Sequence, residues 1–547
     1  MRLRSSRALS PGHVRRAAAV ATIAALVAAG GCSPGSPQNS SAPTADTVGP
    51  DTGEEIDLLT VALPGSLASL DANTEGGILN YYVASIAQEG LLGVSPDGTL
   101  EPALATSWEQ PDPSTYVFDL RDDAVFADGT PMGVDDVLFS IEQARDPEVS
   151  PGTAGYWPQI TSIEQSDTWQ ITITLAEPNQ AFAWVPTAVG ALWVTSKAFW
   201  EANGGTVGTS DTLVLGTGPY RATAFVPDSY AEFERVDTWW GGVPKVKTIR
   251  FEFIPDENTR LLARQAGDVD IALNVPIAQA DQWEQTDNTR VVFQPDNSYV
   301  GLTFDTTVAP FDDVHVRRAI AHSADRQSMV DGVLQGKGEV ATGIATPEQL
   351  GSVIPVDEAR TRLSELPQVD FDLQAAADEL ALSSVPDGFT AELKFPNTGP
   401  QLGKAALALA QSLGTIGIEL TVTEVPIEEW LATLGDGETG LSFMWYFSTT
   451  GDPAEVITYL LDDTYGNVAS YSDPEVSDLL AQAREATDQK KVVDLILEAN
   501  ALEVDDLAYW PLWWGQSATA ISDSIGATGF SPSFLLSVWP ARLYAAG

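Results

Sequence analysis

The sequence predicts an α/β chain built as two lobes, and three observations carry that expectation. Two separate strand–helix–strand runs, over 249–273 and 391–422, lie about 150 residues apart. A smaller unit of short alternating strands around one helix precedes them, between about 91 and 184. The chain is 44% hydrophobic over 547 residues, and the roughly 495 that follow a polar N-terminal stretch exceed what a single core fills, so two or more domains are expected.

At the N-terminus, Arg2, Arg4, Arg7, Arg15 and Arg16 precede an apolar run over 17–29. Thirteen residues are too few for the roughly 20 that span a bilayer core. A basic region, a short apolar run and then small residues read as a signal peptide over 1–31. Ala29, Gly30 and Gly31 lead directly to Cys32, the only cysteine. Lipidation of Cys32 explains why an exported chain otherwise free of cysteine keeps one thiol; a plain signal peptide with an incidental cysteine is the alternative. Residues 33–51 are rich in Ser, Pro, Gly, Thr and Ala, a composition that forms no core and behaves as a tether. The tether is placed at 32–55. No disulfide can form, so stability must come from core burial.

Tyr116, Phe118 and Leu120 alternate as a half-buried strand, as do Trp169, Ile171, Ile173 and Leu175. Between them, Val137, Leu138, Ile141 and Ala144 stand at helical spacing over Val134–Arg145. Asp135 and Asp136 fall in the first turn, where the helix dipole favours negative charge. The most apolar later stretch, 182–194, is interrupted by Pro186, Thr187 and Gly190, which suits a buried core segment rather than a membrane span.

Ile249, Phe251 and Phe253 form the next strand; 255–258 turns into a helix ending near Gly267, and 269–273 returns as a short strand. This length fits a βαβ crossover. Over 314–334, Val316, Ala319 and Ile320 and then Val330, Val333 and Leu334 mark two helical faces, with Asp325 as the N-cap between them. In the second β/α unit Ala391, Leu393 and Phe395 precede a helix over 402–415, and Ile418, Leu420 and Val422 follow, with Gly417 placed to end the helix.

Charge narrows the partners. Losing the five N-terminal arginines leaves 23 basic against 76 acidic residues. Phosphate binding needs a basic surface, so nucleic acid is excluded as a partner, and a solvated acidic surface is the simplest reading. Gly216-Thr217-Gly218 is followed by Pro219-Tyr220 and lacks a Gly-Lys-Ser/Thr, so it reads as a turn into a strand rather than a phosphate loop. His315 and His322 stand seven apart on a predicted helix, but two histidines without a cysteine make a weak metal site. No nucleophile–base arrangement stands out, and no cofactor or metal is expected.

Several motifs occur in one order. Glu89-Gly90-Leu91-Leu92 precedes Asp97-Gly98-Thr99-Leu100-Glu101-Pro102-Ala103-Leu104-Ala105-Thr106-Ser107-Trp108-Glu109. Thr115-Tyr116-Val117-Phe118 leads through Leu120-Arg121 and Phe126 to Asp128-Gly129-Thr130-Pro131, Asp136-Val137 and Phe139-Ser140. Gly216-Thr217-Gly218-Pro219-Tyr220 precedes Trp240-Gly241-Gly242, Pro244-Lys245 and Ile254-Pro255-Asp256. Val316-Arg317-Arg318-Ala319-Ile320 precedes Asp325-Arg326, and Gly451-Asp452-Pro453 follows an aromatic patch. Together, over roughly 58–545, they resemble the family 5 extracellular solute-binding proteins, the dipeptide, oligopeptide and nickel binders. The Cys32 segment resembles a bacterial lipobox, with Ala29 where leucine is usual.

The resemblance implies a two-lobed periplasmic-binding-protein-like fold (type II, large cluster) with an extra α+β subdomain in lobe I. Lobe I would span 56–298 plus a return at 515–547, its subdomain about 91–184, and lobe II 299–514. It further implies an exported, non-enzymatic, lipid-anchored monomer on the outer face of the cytoplasmic membrane. Such a protein captures a peptide-like or other small organic solute between its lobes and delivers it to an ABC permease and its ATPase. In peptide-binding members an aspartate shortly before the Gly-Asp-Pro turn pairs with the ligand's ammonium; Thr449 stands there here, between Ser448 and Thr450. Trp445, Tyr446, Thr449, Thr450, Asp452, Trp513 and Trp514, with Tyr299 beside the first crossover, are the candidate ligand-binding residues, since flat aromatic faces suit apolar groups, sugars or cations. Packing in the core is the competing role for each ring, and the expected role for Trp239-Trp240. An oligosaccharide-binding member and a secreted carboxylate-dependent glycoside hydrolase are the alternatives.

Overall fold

The computed structural model describes residues 49–462 and 466–547; the signal-peptide segment and Cys32 lie outside the described residues. A nine-stranded sheet forms the spine. In the first lobe Ile56–Leu63 lies between Val246–Phe253 and Ile271–Ala272 and runs parallel to both. The expected βαβ crossover is therefore present, with the first strand inserted between its two strands. Its helix, Glu257–Ala266, begins where the Asp256 carboxylate accepts the Thr259 N–H at 2.8 Å and ends at Gly267 in the left-handed region (φ +79°), as a C-terminal glycine does. The returning strand is shorter than the sequence suggests, only Ile271–Ala272.

Two long strands carry the chain between lobes. Thr289–Phe304 and Tyr509–Ser522 pair antiparallel along most of their length, with a break in register between Pro295 and Tyr299. At the break Asn297 is left-handed (φ +54°), and a Cβ on Gly515 opposite would collide with Ser298 Oγ and the Asp296 carboxylate. Beyond it, Leu441–Phe447 joins the free edge of Ser298–Phe304. Alternate residues of these strands then face two different cores. Tyr299, Met444, Tyr509 and Trp514 enter one; Val300, Leu302, Phe443, Trp510 and Trp513 enter the other.

The α+β unit forms as expected. Its four strands lie in the order Ala105–Asp112, Thr115–Leu120, Gln170–Leu175, Ile160–Asp167, and their inward residues Phe118, Ile171 and Ile173 pack on Val137 and Ile141 of Val134–Arg145. Asp136 accepts the Gly133 N–H at 2.9 Å, tying the first helical turn back on itself. Phe182, Ala191, Leu192 and Val194 are buried in the same core.

In the second lobe Thr390–Pro396 and Glu419–Val425 pair in parallel beneath Pro400–Gly414. Asp325 caps Arg326–Gly332 by accepting the Ser328 N–H at 3.0 Å. Gly417 does not cap its helix: Thr415 does, in right-handed conformation. Gly417 instead takes φ +94° in the turn to the next strand, packed against Gly388. The N-terminal tether also stops short of residue 55. Asp51 bridges to Ala546, Thr52 donates its N–H to Ala545 O at 3.0 Å, and Glu55 pairs with Arg235 at 2.8 Å.

Candidate functional site

A cavity of about 380 Å³ opens between the lobes, within the size range of small-molecule sites. Its first-lobe wall is Gly76, Gly77, Ile78 and Tyr81 at the start of the helix Ile78–Ala84, with Gly152, Tyr156, Trp184, Val185 and Gly190. Its second-lobe wall is Tyr446 and Phe447 at the end of Leu441–Phe447, then Thr449, Thr450, Glu455 and Leu431. The lobes also touch directly. Gln180 donates its N–H to Arg484 O at 3.1 Å, and Gly451 lies against Gly98 O and the Trp184 indole. The lobes therefore meet beside the cavity, which keeps an opening to solvent.

Glu455 is the one acidic or basic side chain among the described lining residues. Its carboxylate accepts the Tyr446 hydroxyl at 3.0 Å and the N–H groups of Thr449 at 3.1 Å and Thr450 at 3.0 Å, and also the Thr450 hydroxyl. Burial pushes Glu455 up to about 7 and those hydrogen bonds pull it back; among the described residues lining the cavity none is a lysine or arginine. Asp452, on the same turn, is pushed up to about 6 by burial, against the Ala454 N–H that it accepts at 3.0 Å. Beside the crossover break, burial likewise raises Asp296 to about 6.

Of the sequence candidates, Tyr446, Thr449 and Thr450 line the cavity. The others have different surroundings. Trp445 packs on the second-lobe core with its ring 5.2 Å from that of Phe447. Trp513 and Trp514, consecutive on a strand, point to opposite faces and are each buried in a core; Trp514 donates to Gly343 O at 3.2 Å. Tyr299 is fully buried. Asp452 serves its own turn, its backbone carbonyl accepting from Gln349 at 2.8 Å. Glu455, Phe447, Tyr81, Tyr156 and Trp184 were not foreseen. For Glu455 a signal existed: an acid six residues past Thr449 and two past the end of the Gly-Asp-Pro turn.

Other sequence readings resolve in the same geometry. Trp239 and Trp240 are structural: their indole N–H groups donate to the buried Glu89 carboxylate at 3.2 and 3.1 Å, and the Arg121 guanidinium lies 3.5 Å over the Trp240 ring. Gly218 donates to Ala87 O at 3.0 Å, and a Cβ there would sit 2.6 Å from Ile86 O, so this glycine turn serves close backbone packing. His315 Nδ1 contacts Glu379 at 2.7 Å and His322 Nδ1 the Asp370 carbonyl at 2.7 Å; they share no partner. Among the described residues no group of three or more His, Cys, Asp or Glu is placed to hold a metal.

The family model for the bacterial extracellular solute-binding proteins, family 5 (middle region), matches residues 99–467. The chain belongs to this family. Over 488 residues it is 26% identical to the glutathione-binding protein GsiB of Escherichia coli O6:K15:H31, covering 86% of this chain and 91% of that protein. Its fold matches Helicobacter pylori DppA in complex with the peptide STSA (TM-score 0.79, 23% identity, 90% of this chain and 99% of that one). It also matches AgaA of A. tumefaciens R10 in complex with agropinic acid (TM-score 0.77, 22% identity, 90% and 99%). The two-lobed architecture is that of family 5, and the chain is the extracytoplasmic solute-binding component of an ABC importer. It binds without transforming, so the glycoside-hydrolase alternative falls away.

Proposed function

We propose that this protein is an exported lipoprotein, anchored through Cys32, that captures a peptide-like solute between its lobes and presents the closed form to its permease. Lobe I comprises 56–298 and 515–547, lobe II 299–514. The observation that carries the reading is the cavity of about 380 Å³ walled by both lobes. A solute touching both walls stabilises the closed state by its differential affinity for it. The chemistry of the walls supports a peptide: aromatic faces at Tyr81, Tyr156, Trp184 and Phe447 suit apolar side chains, and Tyr446, Thr449 and Thr450 supply hydroxyls for amides. GsiB's glutathione and the DppA peptide point the same way. The body acts as a monomer tethered through 33–50.

Purified mature protein is titrated calorimetrically with a mixed tripeptide library and, separately, with malto- and cello-oligosaccharides. Saturable heat with tripeptides alone is expected; heat with the sugars alone overturns the peptide assignment. The anchor has its own test: labelled fatty acid is expected to enter the wild-type chain in cells and not Cys32→Ser, and equal labelling of both would overturn anchoring through Cys32.

A further inference from the structure

We infer that Asp296 is a proton-sensitive element of the hinge, favouring separated lobes when ionised and lobes in contact when protonated. The inference rests on the lobes moving about the crossover strands, as the proposed capture of a solute requires, and it holds whichever solute is captured.

Asp296 stands where the chain passes from the first lobe to the second, at the break in register between Thr289–Phe304 and Tyr509–Ser522. Asn297 beside it is left-handed, so the backbone there has already left the extended ladder. The residue is half-buried, but its carboxyl group is enclosed. Oδ1 accepts the Ser298 N–H at 3.0 Å, and a Cβ on Gly515 of the opposite strand would stand 2.5 Å from Oδ1. Glycine at 515 is what lets the second crossing strand pass so close to this acid.

Groups from both lobes face it. Tyr82 does so from the first lobe, on the helix Ile78–Ala84 whose start lines the cavity. Glu348 does so from the second, on the helix Pro347–Leu350. Among the described residues no lysine, arginine or histidine pairs with Asp296. Arg360, which reaches Glu348 at 2.6 Å, also holds Glu339 at 2.9 Å and so serves two other carboxylates. Ionised Asp296 therefore has one N–H to accept, a second carboxylate for a neighbour and little water. An enclosed charge without a counter-ion is costly, and parting Tyr82 from Glu348 lets water in to solvate it.

The sign follows from linkage. Burial holds Asp296 at about 6 with the lobes together, Ser298 pulling it down and Glu348 adding to the rise, against an ordinary value of 3.8. An acid raised in one state favours that state when protonated. Contact between the lobes should therefore gain about tenfold per unit as pH falls from 6 towards 4, and stay level above 6. Glu455, raised to about 7 in the cavity wall, titrates near this range and is removed from the comparison by substitution.

The test places one dye on each lobe at exposed positions, through Leu262→Cys and Leu407→Cys, in mature protein carrying Cys32→Ser and Glu455→Gln. Single-molecule energy transfer without solute reads the ratio of contacting to separated molecules. A rise of about tenfold in that ratio from pH 7.5 to 5, absent once Asp296→Asn is added, is the expected result. A rise that survives Asp296→Asn overturns the role of Asp296. So does a flat profile in a protein whose lobes the tripeptide library still brings together, and the solute reading then stands. One unchanging transfer efficiency at every pH, with or without the library, overturns the moving hinge and this inference with it. Should Asp296→Asn fold poorly, Asp296→Ser, whose hydroxyl can still accept the Ser298 N–H, takes its place.

Discussion

Gly451 of the second lobe lies beneath the indole of Trp184 of the first, so close that a Cβ at 451 would stand 2.8 Å from the ring. The same atom would meet Gly98 O at 2.5 Å. The Gly-Asp-Pro turn is therefore part of the surface on which the cleft shuts.

Gly451→Val should hold the lobes apart without disturbing either core. Solute affinity is expected to fall at least about tenfold, or about 1.4 kcal/mol, with the ligand-free melting temperature unchanged. Small-angle scattering with solute present should show a larger radius of gyration than the wild type. Unchanged affinity would remove the turn from the closing surface.

Glu89 tests the pair Trp239–Trp240. Glu89→Ala leaves two half-buried indole N–H groups without their acceptor and should cost about 2 kcal/mol in urea unfolding. Glu89→Gln keeps an acceptor and should cost about 1 kcal/mol. Equal effects would mean that the space filled by the side chain matters more than its hydrogen bonds.

Stability should fall as pH rises from about 5 to 8. Burial raises Glu503 to about 8 and Glu89 and Glu455 to about 7, from an ordinary value of 4.5. Between the ordinary and raised values the folded state holds protons that the unfolded chain has released, so raising the pH favours unfolding. Glu503, whose Oε2 has no partner, governs the upper end of the window. Glu503→Gln should flatten the profile between pH 7 and 8 in denaturant titrations, and a slope unchanged by the substitution would contradict this assignment.

Trp513→Ala and Trp514→Ala should each destabilise the second lobe by about 3–5 kcal/mol, as loss of a large buried ring does. Retained solute selectivity at temperatures where the variants stay folded would agree with their core positions. Altered selectivity without lost stability would return them to the binding site.

Elements specified by near neighbours were legible in the sequence. The alternation of Tyr116, Phe118 and Leu120, the helix Val134–Arg145 with its paired aspartates, and the Asp325 cap depend on contacts a few residues long. Of the cavity lining, Tyr446, Thr449 and Thr450 were legible through the resemblance anchored on the Gly-Asp-Pro turn and the aromatic patch before it. What escaped depends on distant chain. Trp513 and Trp514 looked alike in composition, and only the strand's pleat, set against two cores, separates and buries them. Glu455 reaches the cavity only because the turn over 448–454 folds it back onto Thr449 and Thr450. Tyr81, Tyr156 and Trp184 reach the cavity only because the first lobe closes on the second.

The break at 296–298 bears on how the molecule moves. Apart from a second shift between Val300 and Gly301, hydrogen-bonded ladder continues on both sides of it, so bending is expected to concentrate in a seam a few residues long while the strands beyond it turn as stiff levers. A joint of this kind restricts the lobes to a few directions of travel, in contrast to a floppy linker. Little orientational freedom remains to be lost when the solute arrives, and more of the contact energy is left to hold it.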